Sequence, residues 1–125
     1  MALHYTNDRV QVGHRLRDLQ PVQFRLSDMA TDIEAGRQLT YHAAWLKERG
    51  ELFTKEAAMA KLFCSDLAMR ATLQAIQLLG GAGYTSDYPV ERMARDAKVC
   101  EIGEGTNEIQ RIVIGRQLLK ETFGE

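Results

Sequence analysis

The sequence is poor in several features that would narrow its function at once. It has two cysteines, two prolines and one tryptophan in 125 residues. Two thiols cannot form the disulfide framework on which small secreted domains depend, so a reducing compartment, the cytoplasm, is the expected setting. An excess of one charge is also missing. The 16 Lys and Arg stand against 17 Asp and Glu, a formal balance of −1. Nucleic-acid binders draw affinity from neutralising phosphates, which this balance does not favour. No stretch approaches the ~20 apolar residues of a membrane span. Met1 to Val10 carries His4, Asn7, Asp8 and Arg9 where a signal peptide needs an apolar run. His4, His14 and His42 show no ligand spacing with one another or with Cys64 and Cys100, so no metal site is expected. Alternation at period two, the mark of a strand, is almost absent.

What is present is helical. Hydrophobic residues make up 45% of the chain, enough for one core. The length fits one domain, though it is short for an enzyme that must enclose a large cofactor and a substrate. Val22, Leu26, Met29, Ile33, Tyr41 and Ala44 recur at helical spacing and predict a helix over about 21–49, opened by Pro21 and stopped by Gly50. Trp45 is expected in its packing face. A second helix is predicted from Thr54, as N-cap, to Leu79. It is apolar nearly all round, which marks a central helix buried on several sides, with Cys64 as a core thiol. Gly80, Gly81, Gly83 and Pro89 break the chain, Val90 to Ala97 reads as a short helix, and Gly103 and Gly105 break it again. Thr106 caps a last helix with an apolar stripe of Ile109, Ile112, Val113, Leu118 and Leu119. Residues up to Arg9 read as the end of a helix, followed by a loop at Gly13. The expected architecture is an all-α, antiparallel up-and-down bundle of four-helix type.

Two segments invite chemistry. Glu104 stands between Gly103 and Gly105, just before a helix. Glycines let a ligand approach the backbone, and a helix start favours anions. A carboxylate in a dry site can serve as a general base. A solvated residue beside a cap is the bland alternative. The Gly80-Gly81 segment follows a helix and lacks the third glycine of a dinucleotide fingerprint, so by itself it reads as a helix C-terminus. Arg9, Arg111 and Arg116 read first as a solvated helix face and second as candidate anion ligands.

The segments Tyr88 to Lys98, Glu104 to Arg111, Gln77 to Tyr84 and Thr6 to Gly13 together resemble the acyl-CoA dehydrogenases, in that family's order and spacing. The likeness spans essentially the whole chain, 1–125, and corresponds to the family's C-terminal helical domain with a shortened first helix. The N-terminal helical and middle β-domains of the family are not represented. The resemblance implies an FAD-dependent dehydrogenase that oxidises acyl-CoA thioesters. In it Glu104 is the catalytic base, and Gly105 and Arg116 lie by the substrate. FAD contacts are implied for Arg9, Gln20, Gln77, Gly80, Gly81, Thr106 and Glu108, several of them to the flavin of a neighbouring subunit. An electron-transferring flavoprotein is the implied acceptor, and a homo-oligomer, dimer or tetramer, the implied assembly. Two positions depart from the pattern. Val12 stands where the family often has an aromatic, and Gly103 where it often has Tyr, which would leave room for a branched acyl group. The chain alone is expected to have little activity and to self-associate. The alternatives are a non-catalytic helical oligomerisation module of the same fold and an acyl-CoA oxidase-type relative.

Overall fold

The computed structural model describes residues 1–124. Helix α1 (Ala2–Asp8) leads into a hairpin of β1 (Val10–Gln11) and β2 (His14–Arg15), and a 3-10 turn at Leu16–Asp18 follows. The remaining elements are α2 (Gln20–Glu48), α3 (Thr54–Leu79), the single turn α4 (Gly81–Tyr84), α5 (Val90–Ile102) and α6 (Asn107–Phe123). The class is all-α, as the periodicity predicts, and the two long helices fall within one residue of their expected limits.

Helix α3 is the central element, and α1, α2, α5 and α6 all pack against it. Cross-helix contacts fix the directions. Arg25 meets Gln74 and Asp32 meets Arg70 across α2 and α3, whereas Asn107 meets Ser65 and Lys55 meets Glu121 across α3 and α6. Numbers rise along one helix as they fall along its neighbour, so α3 is antiparallel to both. At the C-terminal end of α3, Leu78 and Leu79 join Val90 in a core cluster, against which Ala2, Tyr5, Val22, Leu26, Met29 and Tyr88 pack. Tyr5 and Tyr88 meet edge to face with centroids 5.5 Å apart. This cluster ties the short α1 to both ends of the chain's midsection.

Several expectations shift. The buried face of α2 begins at Val22, Leu26 and Met29 as read, then passes through Gly36, Leu39, Ala43 and Leu46, leaving Ile33, Tyr41 and Ala44 exposed. The cause is a close approach at Gly36, where an added Cβ would lie 3.1 Å from Cys64 Sγ and 3.3 Å from Leu67 Cδ2. That contact sets the rotation of α2 on α3. Trp45 consequently faces solvent, 49% exposed, with the His42 ring stacked beside it and the Arg49 guanidinium 4.7 Å from its ring centre. Phe53, not Thr54, occupies the N-cap position of α3, without a side-chain cap.

Helix α5 runs five residues beyond Ala97. Val90, Ala94 and Ala97 are its buried row, and Lys61 Nζ lies 3.5 Å from the Glu101 carbonyl that it caps. On α6 the inward side is Asn107, buried, with Gln110, Val113, Ile114 and Gln117 half-buried. Ile109, Ile112, Leu118 and Leu119 of the expected stripe are exposed. Within the inward row Asn107 pairs with side chains of α3, and Gln110 with carbonyls of the preceding turn. The loop expected at Gly13 is a tight hairpin: β1 and β2 pair Val10 with Arg15 and Gln11 with His14. Its two turn residues, Val12 and Gly13, have φ of 51° and 80°. A two-residue hairpin turn requires positive φ, which glycine accepts readily and β-branched valine does not.

Candidate functional site

The candidate residues fall into two groups. The first lies where α1, the hairpin, α2 and the α3–α4 junction converge. A cavity of about 610 Å³ opens there, lined among others by Arg9, Gln11, Arg25, Gln77, Gly80 and Gly81. Arg9 is thus brought to one wall with Gln77, Gly80 and Gly81, some seventy residues further along the chain. Gln20 does not line the cavity, but its neighbour Pro21 does. Two guanidiniums and two carboxamides line it and no carboxylate does, a donor-rich surface suited to a phosphate or diphosphate. Arg25 Nη1 is 3.2 Å from Gln74 Oε1, while Arg9 makes no ion pair among the described residues.

The glycines of this wall separate by physical cause. Gly80 has φ of 62°, so its conformation explains it. Gly81 has ordinary φ, and an added Cβ there would meet nothing within 4 Å. Neither packing nor backbone geometry demands glycine at 81.

The second group is the turn between α5 and α6. Glu104 has φ of 54° and Gly105 of 86°. Among the described residues, Val12 and Glu104 are the two non-glycine residues at positive φ, and each stands in a segment that carries the family resemblance. Such strain costs on the order of 1 kcal/mol or more and persists where surrounding structure over-determines it. Glu104 is exposed, and so is Gly105. Thr106 caps α6, accepting from the Ile109 N–H at 3.4 Å. The Glu108 carboxyl is held below the ordinary carboxylate range by its own backbone N–H, then by the Thr106 hydroxyl, with Arg111 and Lys61 adding smaller attractions. Thr106 and Glu108 are therefore engaged in shaping the helix start. They line a cleft of about 250 Å³ with Asp66, Lys98, Glu101 and Arg111.

The lowered pKa of Glu108 implies a pH dependence. Its ionised form is favoured by folding, so its contribution is fully present above the unfolded carboxylate pKa of about 4.3 and is lost as pH falls through the lower folded value. Protection of the amides at the α6 start, taken relative to their intrinsic exchange rate at each pH, is expected to fall on acidification through that window in the parent chain. In Glu108→Gln it is expected to change far less, which hydrogen exchange at Asn107–Gln110 measures.

Two arrangements were not legible from the sequence. Asn107 is 4% exposed, and its carboxamide is held by three residues of α3: Lys61 Nζ donates to Oδ1 at 2.8 Å, Ser65 Oγ donates to Oδ1 at 2.9 Å, and Nδ2 donates to Asp66 Oδ1 at 2.7 Å. Gln110 Nε2 reaches the carbonyls of Gly105 at 3.1 Å and Glu104 at 3.4 Å. A polar residue directly after the N-cap was the sole local signal. The two groups themselves stay apart. Ser65, beside Asn107, and Leu78, in the cavity wall, are thirteen residues apart on α3, roughly 20 Å at 1.5 Å per residue. Arg116 belongs to neither group. It is exposed nine residues along α6 from Asn107, roughly 14 Å.

The fold is a helical bundle with a donor-rich cavity at one end of its central helix and a strained glutamate turn further along. The family profile for the acyl-CoA dehydrogenase C-terminal domain matches residues 1–119, and the chain belongs to that family. It is 57% identical over 119 residues to the probable acyl-CoA dehydrogenase YngJ of Bacillus subtilis, covering 95% of this chain and 31% of that protein. Its fold matches the butyryl-CoA dehydrogenase structure from Megasphaera elsdenii with a TM-score of 0.93, at 50% identity over 94% of this chain and 31% of the other. A chain in the structure reported for the electron transferring flavoprotein of Acidaminococcus fermentans gives the same TM-score at 51% identity, over 95% and 31%. The chain thus spans about a third of the length of the relatives that it matches. Among the described residues, no helix is long and apolar enough to cross a membrane.

Proposed function

We propose that this chain acts as the C-terminal domain of a flavin-dependent acyl-CoA dehydrogenase of the cytoplasm, the N-terminal helical and middle β-domains lying outside these residues. The observation that carries the reading is the strained, exposed Glu104 turn on a rigid helix start, within a chain that matches the family profile over residues 1–119. When bound, FAD supplies the acceptor for the β-hydride of the acyl group. Glu104 removes the α-proton of the thioester: the α C–H bond breaks and its proton goes to the carboxylate. Its backbone, held at positive φ, aims the side chain away from the bundle toward the face that the remaining domains would cover. Their cover would dry the carboxylate and place the thioester, which is where much of the rate arises. Gly105 gives the acyl group close access, and Arg116 would serve the substrate only from a different part of α6.

The cavity of Arg9, Gln77, Gly80 and Gly81, with Gln20 at its edge, suits the diphosphate of FAD. Its distance from the Glu104 turn supports the family arrangement in which it serves a neighbouring subunit's flavin, while Thr106 and Glu108 border the flavin paired with Glu104. Ile109, Ile112, Leu119 and Phe123, spaced three, seven and four apart on α6 and all exposed, supply an apolar row for a second copy of the chain. An electron-transferring flavoprotein is the proposed acceptor. The test is anaerobic addition of a panel of short, medium and branched acyl-CoAs to the FAD-loaded full-length protein. Bleaching of the flavin absorbance is expected within turnover times. Absence of bleaching with every member of the panel contradicts the assignment and favours the oligomerisation module, whereas rapid reoxidation by oxygen alone would favour an oxidase.

A further inference from the structure

Asn107 is buried for a reason that capping does not supply. Asparagine at a helix start ordinarily bonds the nearby backbone, yet Thr106 already performs that role. The Asn107 side chain turns instead toward α3, where both acceptor positions of Oδ1 are filled by Lys61 and Ser65 and Nδ2 donates to Asp66. A buried carboxamide is costly unless so satisfied. Lys61 also caps the Glu101 carbonyl at the end of α5. Residues 61–66 of α3, through Lys61, Ser65 and Asp66, therefore fix the end of α5 and the start of α6, the two anchors of the turn that carries Glu104. From the other side Gln110 latches the carbonyls of Glu104 and Gly105. An added Cβ at Gly105 would lie 2.9 Å from that same Gln110 nitrogen, so the latch passes directly over the glycine.

We propose that Asn107 and Gln110 are positioning residues for Glu104: Asn107 registers the turn on α3, and Gln110 holds its backbone in the left-handed conformation that presents the carboxylate. The proposal rests on the reading of Glu104 as the base. It differs from a plain packing role in what a variant changes. Loss of a packing contact loosens α6 as a whole, whereas loss of a positioning contact frees the turn while α6 stays folded.

Gln110→Ala and Asn107→Ala in the FAD-loaded full-length protein separate the two. Gln110 is half-buried and its carboxamide nitrogen bonds only the turn's own carbonyls, so its variant is the one that folds if Asn107→Ala does not. Leu46→Ala, in the α2–α3 core, serves as a comparison for general destabilisation. Expected for Gln110→Ala are a kcat lowered about tenfold or more with KM little changed, and amide exchange about tenfold faster at Gly103–Thr106 without a change at Ile112–Leu119. The proposal is overturned if exchange at the turn stays at its parent rate, or rises equally along all of α6 as in Leu46→Ala. Glu104→Gln is assayed in parallel. Full turnover in that variant would refute the base assignment, and the exchange profile would still decide whether the turn is held by Gln110 and Asn107.

Discussion

Replacing Glu104 by Gln in the full-length, FAD-loaded protein is expected to cut the rate of flavin reduction by acyl-CoA at least ~100-fold, the scale of a positioned general base. The substitution keeps size and hydrogen-bonding shape, and the exposed carboxylate makes no ion pair among the described residues. Stability should therefore change little, within about 0.5 kcal/mol, as for surface substitutions generally. FAD content should also hold, since the cavity suited to the diphosphate is on another part of the bundle. The measurement is stopped-flow absorbance of the flavin with stoichiometric cofactor verified beforehand. A variant that keeps the parent rate removes Glu104 from the chemistry, and one that loses FAD shows that the two groups are not separate.

The largest effect on the fold is expected at Gly83. Helix α4 is one turn laid against the end of α3, and an added Cβ at Gly83 would sit 2.7 Å from the Ile76 carbonyl oxygen and 2.8 Å from Leu79 Cβ. Backbone cannot yield as a flexible side-chain tip can. Gly83→Ala should destabilise by about 3 kcal/mol, at the upper end of overpacking effects, and lower Tm by roughly 10 °C. Because α4 follows Gly80, the displacement also reaches the cavity wall, so FAD affinity should fall with stability. Gly81→Ala, two residues away, meets open space and should leave Tm within about 2 °C of the parent. Thermal denaturation of both variants measures the contrast. Equal effects at 81 and 83 would mean that α4 does not rest on α3 as described.

Local signals carried much of the fold. Helices α2 and α3 follow from apolar spacing closed by Gly50 and Gly80, because helix limits are set by residues within a turn of them. The rotation of α2 was not readable beyond Met29, since it depends on Gly36 admitting Cys64 and Leu67 from another helix. For the same reason Ile33, Tyr41 and Trp45 looked inward in sequence and face outward in space. On α6 Asn107 turns inward to partners on α3, Lys61 and Ser65, and no window of the sequence contains both sides of that exchange. The hairpin at Val12-Gly13 escaped notice because two paired residues per strand leave no alternation to detect, and valine is an unfavourable choice at its positive-φ turn.

The candidate site shows the same division. Glu104, Thr106 and Glu108 stand in one short segment that can be read directly. Arg9, Gln77, Gly80 and Gly81 were assembled only by resemblance, and the fold supplies the physical reason for grouping them: α1 ends where α3 ends. Asn107 gave no sign of burial in its own neighbourhood, since its three partners lie 41 to 46 residues earlier in the chain.

The claim that Glu104 takes the α-proton is tested most directly by following exchange at the acyl α-carbon. The full-length protein and its Glu104→Gln variant would be incubated with an acyl-CoA in D₂O, and deuterium at that carbon read by mass spectrometry. The account predicts incorporation by the parent and at least ~100-fold slower incorporation by the variant. Equal incorporation by the two would contradict it.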